Sequence, residues 1–519
     1  MNERIPADLI TPDQPFFLDL VAGRPDALDL VSRPLDAFAE AAKDGLARPV
    51  QREALANALR DYNEGLGASR QALRAIDRLA EEGTLCVLGG QQAGFLGGPL
   101  YTAYKIVSVL RVAAHAEALL GTPVVPIFWL ATEDHDFTEI NRARFLEPDG
   151  SLRTVAFEWE GRGKPIEDLP LTPEILQALE EALPASSELP ESTRAFFQPE
   201  EGDDYSRWHA RIWSRLFAEE GLVLVEPRIL RGLTGPFFHE VLANAPRIHE
   251  ALVAGRDRLA SAGYDPPFDP NRVGVPFHRG PTGERIRIEA PQDHADDALT
   301  APGRYSTDAA LRPLLADRLF PSIAHVLGPT EIAYHTMLAP LYDALDTPQP
   351  VLVPRGGFTL LSEDEANLLD RLGLPIPDAI AGEISSKEAL RGAASSGLQG
   401  AFRAARSDAS DAVERLRPTV DAIDPGLGAR LRQTSDHVAG AFDRLEERAI
   451  RADLARQGIS AAGLHALLAS LRPTGRPQER VLSFAHAALR FGVEWVKRLP
   501  CADEPHRFAH FAVTIKGGE

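Results

Sequence analysis

Four polar residues, Glu133-Asp134-His135-Asp136, directly follow the continuous apolar run Pro123–Ala131. Such a run is typical of a parallel strand buried on both faces, and open α/β sheets bind ligands at the carboxyl ends of their strands. Three carboxylates around an imidazole are expected to raise the histidine pKa and could form a general acid/base centre or a cation site. We expect no metal here, because neighbouring residues of an extended chain point in opposite directions and no HxxxE or HxxH pair accompanies them. The alternative is an acidic surface turn.

A second polar segment is the glycine-rich loop Gly89–Pro99, which lies between the apolar run Leu85–Leu88 and the helical pattern of Tyr101–Leu120. Backbone N–H groups of such a loop, together with a helix N-terminus, can hold an anion. The loop matches neither GxxxxGK[ST], since no Lys-Ser/Thr follows its last glycine, nor GxGxxG. The adjacent Gln91 and Gln92 offer amide donors and acceptors, which suits a hydroxyl-rich or carboxylated ligand. A tight strand-to-helix connection without a ligand is the alternative.

Further polar residues stand at predicted junctions between elements. Tyr101 and Lys105 are four residues apart near the start of a predicted helix, so they share one face and could reach one pocket. Guanidinium groups suit carboxylates or phosphates, which indicates an anionic ligand and no more than that. A solvated surface position is the alternative for each residue. The later junction residues are Arg312, Glu331, Tyr334, His335 and Arg355.

The elements that must position these residues form an α/β core. Residues 85–131 predict a strand, a helix and a second strand, and the right-handed crossover rule places both strands in one parallel sheet. Apolar runs predict further core strands at Leu222–Glu226, Ile323–Leu327 and Pro350–Pro354. Apolar residues at helical spacing predict helices at Leu28–Ala47, Arg52–Leu79, Ser206–Glu220, Phe237–Ala262, Ile332–Leu345 and Arg480–Leu499.

Two insertions and a helical arm extend this core. The insertions are predicted at about 137–205 and 230–310, the second with a hairpin of Val273–Phe277 and Arg285–Glu289. From Ile384 to Ala455 the apolar residues step by three and four around an interruption at Asp424-Pro425-Gly426, which predicts an antiparallel coiled-coil hairpin. Pro418 should kink or end its first helix. The predicted boundaries are 1–380 for the core, 381–460 for the arm, and 461–519 for a C-terminal segment that returns to the core through a strand at Phe511–Ile515.

The composition limits the class of function. The 519 residues carry a formal net charge of −20 and show no Lys/Arg-rich run, which argues against nucleic acid or membrane partners and favours small molecules. No signal segment or apolar run of membrane-spanning length is visible, so we expect a cytoplasmic protein. The two cysteines, Cys86 and Cys501, fit a reducing compartment. For Cys86 a small buried strand residue is favoured over a functional thiol.

Five segments together resemble the bacillithiol-biosynthesis cysteine-adding family, often called BshC, and the resemblance runs in order through roughly residues 10–500. The resemblance implies a Rossmann-like, nucleotidyltransferase-like core with connecting insertions and a coiled-coil domain through which two subunits pair. It also implies a ligase that forms a C–N (amide) bond by attaching L-cysteine to the amine of glucosaminyl-malate, the last step of bacillithiol synthesis. The segments are GGQQAGFLGGPLYTAYKI, VVPIFWLATEDHDFTEI, STDAALRPLLADRLFPSIAHVLGPTEIAYH, VLVPRGGFTLL and RPQERVL.

The same resemblance suggests roles for individual residues. His135 is the predicted general base toward the glucosamine amine, with Asp134 or Asp136 orienting it, and Arg312 and Arg355 are predicted to clamp the malate carboxylates. The predicted substrate-binding residues are Gln91, Gln92, Gly94, Gly98, Tyr101, Lys105, Glu133, Arg312, Glu331, Tyr334 and Arg355.

Activation of a free carboxylate is needed before an amide can form, and ATP is the candidate co-substrate for an acyl-adenylate or acyl-phosphate. The sequence has no phosphate-loop lysine and no HIGH or KMSKS signature, so it leaves open whether and where ATP binds. A different interpretation keeps the fold but makes the chain a dimeric nucleotide-sensing or scaffold protein that uses the arm. A scaffold would not need Glu133-Asp134-His135-Asp136, whereas an amide-forming enzyme needs a base there.

Overall fold

The computed structural model describes residues 2–184, 189–382 and 386–516. The chain divides into two compact units, the first formed by Met1–Phe145, Arg153–Leu360 and Gln478–Glu519 and the second by Leu146–Leu152 and Leu361–Pro477. None of the helices in the described ranges combines the length and apolar character that a membrane span requires. The strands are β1 (Asn2–Ile5), β2 (Leu85–Gln91), β3 (Val124–Leu130), β4 (Arg142–Leu146), β5 (Leu152–Ala156), β6 (Val223–Val225), β7 (Phe277–Arg279), β8 (Arg285–Arg287), β9 (Tyr305–Ser306), β10 (Ser322–Leu327), β11 (Val351–Pro354), β12 (Gly357–Ser362) and β13 (His510–Ile515).

Helices account for most of the remaining ordered chain. Those of the first unit are Ala7–Ile10, Pro15–Val21, Pro25–Leu28, Phe38–Ala47, Arg52–Gly65, Arg70–Ala80, Leu100–Leu120, Phe137–Ile140, Pro173–Ala182, Glu191–Phe197, Tyr205–Leu216, Pro227–Leu230, Gly235–Ala243, Ala245–Ser261, Ala295–Thr300, Leu311–Leu319, Pro329–Met337, Ala339–Ala344, Gln478–Val481 and Phe484–Phe491. Those of the second unit are Glu363–Leu372, Ile376–Ala381, Ser386–Ala393, Ser396–Glu414, Arg417–Ile423, Gly428–Arg456 and Ala461–Leu471.

A five-stranded parallel sheet forms the centre of the first unit, with the order β11-β10-β2-β3-β6. In this register Leu88 of β2 lies opposite Ile127 of β3 on one side and His325 of β10 on the other. Strand β2 therefore lies between β3, which is the next core strand along the chain, and β10, which begins more than 200 residues after β2 ends. The strand order reverses between β2 and β10, which is the place where open α/β sheets bind their ligands. The predicted Rossmann-like parallel sheet is confirmed.

Burial on both faces explains why the core strands are continuous apolar runs. Leu85, Cys86 and Val87 of β2 are fully buried, and the helix Leu100–Leu120 packs on β2 and β3. Burial raises the pKa of the Cys86 thiol, so the thiol stays protonated within the core. Cys86 is therefore a buried strand residue, which is the interpretation that the sequence favoured over a functional thiol.

The predicted core strands are all present with end points shifted by at most three residues, but several predicted helices are shorter or divided. In the stretch predicted as Leu28–Ala47, the long helix begins only at Phe38, after Pro34. The reason is that a proline disfavours helical geometry in the residue before it. The stretch Arg52–Leu79 is divided at Leu66, where Gly67 adopts a φ of +72°. The stretches Phe237–Ala262, Ile332–Leu345 and Arg480–Leu499 are divided near Asn244, Leu338 and Gly492.

The predicted hairpin of the second insertion is confirmed, with its first strand shifted to Phe277–Arg279. Strands β7 and β8 pair antiparallel, with Phe277 opposite Arg287 and Arg279 opposite Arg285, and β9 pairs with the other edge of β7. The guanidinium of Arg279 donates to Asp168 at 2.6 Å and to Glu167 at 2.7 Å. These ion pairs join the hairpin to the first insertion.

Another sheet of the first unit has the order β1-β13-β12. Its strand β13 confirms the strand predicted at Phe511–Ile515, and β1 pairs with it antiparallel. The last three residues of the chain lie outside the described residues.

The second unit contains a helical hairpin built from Ser396–Glu414 and Gly428–Arg456, which pack on each other. Ser395 donates to Asp453 at 2.7 Å, and Arg406 forms an ion pair with Glu446 at 2.8 Å, so the helices run antiparallel, as predicted. The first helix ends four residues before Pro418, which lies in the first turn of the next helix. The predicted start of the arm at about Ile384 lies outside the described residues.

Candidate active site

A cavity of about 460 Å³ opens in the first unit at the carboxyl ends of β2, β3 and the strand β10. Its volume is in the range of small-molecule sites. It is lined by Gly90, Gln91, Gln92, Ala131, Glu133, Asp134, His135, Glu139, Phe277, Arg285, Thr307, Asp308, Ala309, Arg312, Glu331 and Tyr334. We call this cavity the cleft. Sequence positions separated by more than 240 residues therefore meet at the switch point of the sheet.

Lys105 lies directly beneath the cleft and joins its two central strands. Its Nζ donates to the carbonyl of Gly90 at 2.8 Å, to Gln91 Oε1 at 2.8 Å and to Glu331 Oε2 at 2.5 Å. Glu331 Oε2 also accepts the N–H of Gly328, which caps the helix Pro329–Met337. Burial lowers the pKa of Lys105 to about 8, although Glu331 acts in the opposite direction. This buried ion pair fixes the end of β2 against the turn that follows β10.

Arg312 presents a guanidinium to the cleft without a carboxylate partner. Its Nη2 donates to the hydroxyl of Tyr334 at 3.1 Å, and no Asp or Glu of the described ranges lies within ion-pair distance of it. Asp308 positions Arg312 by capping its helix, because Oδ1 accepts the N–H of Leu311 at 2.9 Å. A Cβ at Gly90 would lie 2.9 Å from the carbonyl oxygen of Trp129, so glycine is needed there for the close approach of β3, whereas Arg312 Nη1 would lie at an ordinary contact distance of 3.5 Å. The arrangement can bind an anion.

The residues after β3 form the acidic wall of the cleft. Glu133 is buried and accepts the hydroxyl of Thr307, and burial raises its pKa against the opposing effects of Arg285 and Thr307. Asp134 accepts Gln92 Nε2 at 2.8 Å through Oδ2 and the N–H of His135 at 2.7 Å through Oδ1.

Arg285 enters the cleft from the hairpin and contacts His135. Arg285 Nη1 donates to His135 Nδ1 at 3.0 Å and to Asp134 Oδ1 at 3.3 Å. Because arginine only donates, Nδ1 must accept, which places the proton of the neutral imidazole on Nε2. Burial and then Arg285 lower the pKa of His135, against Asp134 and Asp136. Asp134 and Asp136 act to raise this pKa, as predicted, but the predicted net rise is wrong because burial and then Arg285 outweigh them.

Glu139 completes the acidic wall one helical turn after Asp136. Its pKa is raised by burial, then by Asp136 and Asp134, and lowered by a hydrogen bond from Gln92. No Lys or Arg within the described ranges lies at ion-pair distance from Glu139. The cleft therefore combines a cation without a carboxylate partner, Arg312, and a carboxylate without a cationic partner, Glu139.

Several cleft residues were not among the candidates derived from the sequence. Three of them could have been found from the sequence, because they lie in the segments that carry predicted site residues. Glu139 shares a segment with His135, and Thr307 and Asp308 share one with Arg312. For Arg285 and Phe277 the sequence showed only that they belong to a predicted hairpin, and this does not indicate which part of the protein the hairpin packs against.

Six predicted site residues do not line the cleft: Gly94, Gly98, Tyr101, Lys105, Asp136 and Arg355. Arg355 is buried and forms a two-point ion pair with Glu479, at 2.6 and 3.0 Å. Tyr101 lies beside it, with its ring 5.6 Å from the Arg355 guanidinium carbon. Asp136 accepts the hydroxyl of Thr138 at 2.8 Å. The guanidinium of Arg355 is thus neutralised within the protein, because a glutamate 124 residues later in the chain reaches it.

The glycine-rich loop packs against the protein around Gly97. Gly97 and Gly98 adopt φ values of +89° and +70°, and a Cβ at Gly97 would lie 2.9 Å from the ring of Phe484. The N–H of Phe484 donates to the carbonyl of Gly98 at 2.8 Å. On the other side, His209 Nε2 accepts Trp213 Nε1–H at 3.0 Å, so its Nδ1–H donates to the carbonyl of Gly94 at 2.9 Å. These contacts are those of a tight strand-to-helix connection, the alternative to an anion site.

A cation site would need a cluster of ligands that the described ranges do not contain. No group of three or more His, Cys, Asp or Glu side chains there is arranged to hold a metal ion.

Comparison with known proteins identifies the family. Residues 10–356 match the family model "Bacillithiol biosynthesis BshC, N-terminal Rossmann-like domain", and residues 358–515 match "Bacillithiol biosynthesis BshC, C-terminal coiled-coil domain". The chain belongs to the BshC family. The Rossmann-like match contains every residue that lines the cleft.

Relatives in the BshC family align over almost the whole chain. A protein of Geobacillus thermodenitrificans is 29% identical, with 90% of this chain and 91% of the relative covered. One of Salinibacter ruber is 31% identical, with 94% and 93% covered, and one of Bacillus cereus is 27% identical, with 95% and 96% covered. Each of the three carries the name "Putative cysteine ligase BshC".

Proposed function

We propose that this chain is a cysteine ligase that joins L-cysteine to the amine of glucosaminyl-malate through an amide bond. The relatives named as cysteine ligases support this function over the nucleotide-sensing or scaffold alternative. The observation that carries the proposal is the division of charge in the cleft. Arg312 offers a guanidinium to carboxylates, and the acidic wall of the same cleft offers Glu139 to an ammonium group. A substrate with malate carboxylates and an amino sugar carries both of these charges.

The chemistry requires a deprotonated amine and an activated cysteine carboxylate. We assign the first task to His135, whose pKa below 6.5 keeps it neutral and able to accept a proton at neutral pH. Asp134 holds the His135 segment through the backbone N–H, and Asp136 acts on the imidazole only through its charge. ATP is the proposed co-substrate for the second task, through an acyl-adenylate or acyl-phosphate.

Substrate binding divides among the remaining cleft residues. Arg312 and Tyr334 bind a carboxylate, while Gln91, Gln92 and Glu133 bind sugar hydroxyls or the amine. Lys105 and Glu331 support this surface through their ion pair. Gly94, Gly98, Tyr101 and Arg355 act by holding the loop and the strand ends in place.

Thiol profiling of a strain that lacks the protein tests the proposed reaction. Bacillithiol should disappear and glucosaminyl-malate should accumulate. Normal bacillithiol without accumulation of glucosaminyl-malate would show that the chain is not this ligase. In complementation, Arg312→Gln and His135→Ala should fail to restore the thiol. Arg272→Gln, which changes an arginine whose side chain is 83% exposed and outside the cleft, is the control and should restore it.

We also propose that two copies pair through the arm. Leu416 and Ile423, between the two helices of the hairpin, are 54% and 75% exposed, and Leu445 of its second helix is 56% exposed. A second copy that covered these side chains would remove apolar surface from water. Sedimentation of a variant with the arm replaced by a short linker tests this pairing. A dimer that persists without the arm would place the interface elsewhere.

A further inference from the structure

We propose that Arg285 binds a carboxylate of the substrate, and that this binding releases His135 so that its Nδ1 can accept a proton. The inference rests on the proposed ligase function and adds a second carboxylate-binding residue to Arg312. It also fixes an order, since the anionic substrate must bind before the base can act.

The guanidinium of Arg285 is held in place without any help from His135. Its Nε donates to Ser306 Oγ at 3.1 Å, and its Nη2 donates to the carbonyl of Thr307 at 2.5 Å. The ring of Phe277 lies 4.2 Å from the guanidinium carbon. The side chain is 4% exposed. Nη1 is the group that contacts His135 and Asp134, and Glu133 and Asp134 are the carboxylates that act most on its charge. Nη1 can therefore exchange the imidazole for another acceptor while the rest of the side chain stays fixed.

His135 is the more exposed partner of this contact. Its side chain is 40% exposed, and it lies in the turn between β3 and the short helix Phe137–Ile140. The groups that face it are Arg285, Asp134 and Asp136, together with the edge of the Phe277 ring at a centroid distance of 5.6 Å. If one partner must turn away, the exposed imidazole does so more readily than the buried guanidinium.

The contact blocks the proton acceptor of the proposed base. A neutral imidazole with its proton on Nε2 has one free lone pair, on Nδ1, and Arg285 Nη1 occupies that lone pair. The substrate ammonium therefore cannot transfer a proton to His135 in this arrangement. When the imidazole turns away, the proton passes from the substrate nitrogen to Nδ1, which leaves a neutral amine and an imidazolium.

A carboxylate can displace the imidazole because charged acceptors form stronger bonds to guanidinium than neutral ones, roughly twofold in strength. Arg285 and Arg312 line the same cleft, so a dicarboxylate can engage both. Binding of the anion also offsets the charge of Arg285, which is, after burial, the second cause that lowers the His135 pKa. The pKa of His135 should then rise toward its ordinary value of 6.5.

Histidine NMR of the full-length protein tests the proposal without turnover. The His135 signal, assigned by its loss in His135→Gln, is titrated from pH 5 to 8 alone, with saturating L-malate, and with methyl α-D-glucopyranoside, which has no carboxylate. L-malate should raise the titration midpoint, and the glucoside should not. In Arg285→Gln the midpoint should already be raised and should not respond to L-malate.

Three results would overturn the proposal: no saturable binding of L-malate, binding that leaves the His135 midpoint unchanged, or an unchanged midpoint in a folded Arg285→Gln. The measurement in the unmodified protein decides the matter even if that variant does not fold. Failure of the ligase function would appear separately in the thiol profile, which does not depend on the midpoint.

Discussion

Replacement of Gly97 by alanine separates a packing role of the glycine-rich loop from a ligand-binding role. Alanine at this position would keep a φ of +89° and would place its Cβ 2.9 to 3.1 Å from three carbon atoms of Phe484. Backbone in the left-handed region costs about 1–2 kcal/mol for a residue with a Cβ. Overpacking of a filled core adds about 1–3 kcal/mol. We therefore expect Gly97→Ala to lower the free energy of unfolding by about 2–5 kcal/mol, the sum of these two ranges.

Gly83→Ala is the matched control for the backbone contribution. Gly83 has a φ of +93°, and a Cβ there would meet nothing within 4 Å. This variant should lose only about 1–2 kcal/mol. The difference between the two variants then measures the contact with Phe484.

Urea denaturation followed by circular dichroism measures both losses. A Phe484→Gly background removes all three contacting carbon atoms, including the Cβ that alanine would keep at 3.1 Å, so in it Gly97→Ala should cost no more than Gly83→Ala does. Equal losses for Gly97→Ala and Gly83→Ala in the unmodified protein, together with failure of Gly97→Ala in complementation, would refute the packing role. The loop would then act on a ligand.

Three further predictions concern the charged groups around the cleft. Glu331→Gln leaves the buried ammonium of Lys105 without its carboxylate. The pKa of Lys105 should therefore fall below about 8, and the protein should lose about 3 kcal/mol of stability. Amine titration by NMR measures the first effect, and urea denaturation measures the second. Arg355→Met should lower the free energy of unfolding by about 3–5 kcal/mol, because Glu479 is then buried and unpaired, and adding Glu479→Leu should restore much of this stability. A double-mutant cycle by urea denaturation measures the coupling. Losses of the two single variants that simply add in the double variant would contradict the prediction. Burial lowers the pKa of His209 from 6.5 to about 4, so on acidification the unfolded state binds a proton before the folded state does. The stability of the protein should therefore fall as the pH drops through this range. Thermal unfolding should show a smaller fall in stability for His209→Gln.

The sequence by itself determined the local elements and the family. Apolar runs are long enough to define the core strands, and the polar residues that follow them are necessarily at the carboxyl end of a parallel sheet. His135 and Glu331 follow such strands, so their convergence on one cleft could be predicted, whereas Arg312 reaches the cleft from the helix that precedes β10. Helix ends were predicted less well, because prolines and glycines such as Pro34 and Gly67 act through local backbone geometry that periodicity does not describe.

Only the tertiary structure decided which charged groups meet. Arg355 and Arg312 look alike in the sequence, yet one is neutralised by Glu479 and the other faces the cleft with no carboxylate partner in the described ranges. Burial of His135 and then the charge of Arg285, which comes from a hairpin 150 residues further along the chain, reverse the predicted direction of the His135 pKa shift. The physical reason is that periodicity depends on neighbours along the chain, whereas a pKa or an ion pair depends on whichever charge lies within a few ångströms after folding.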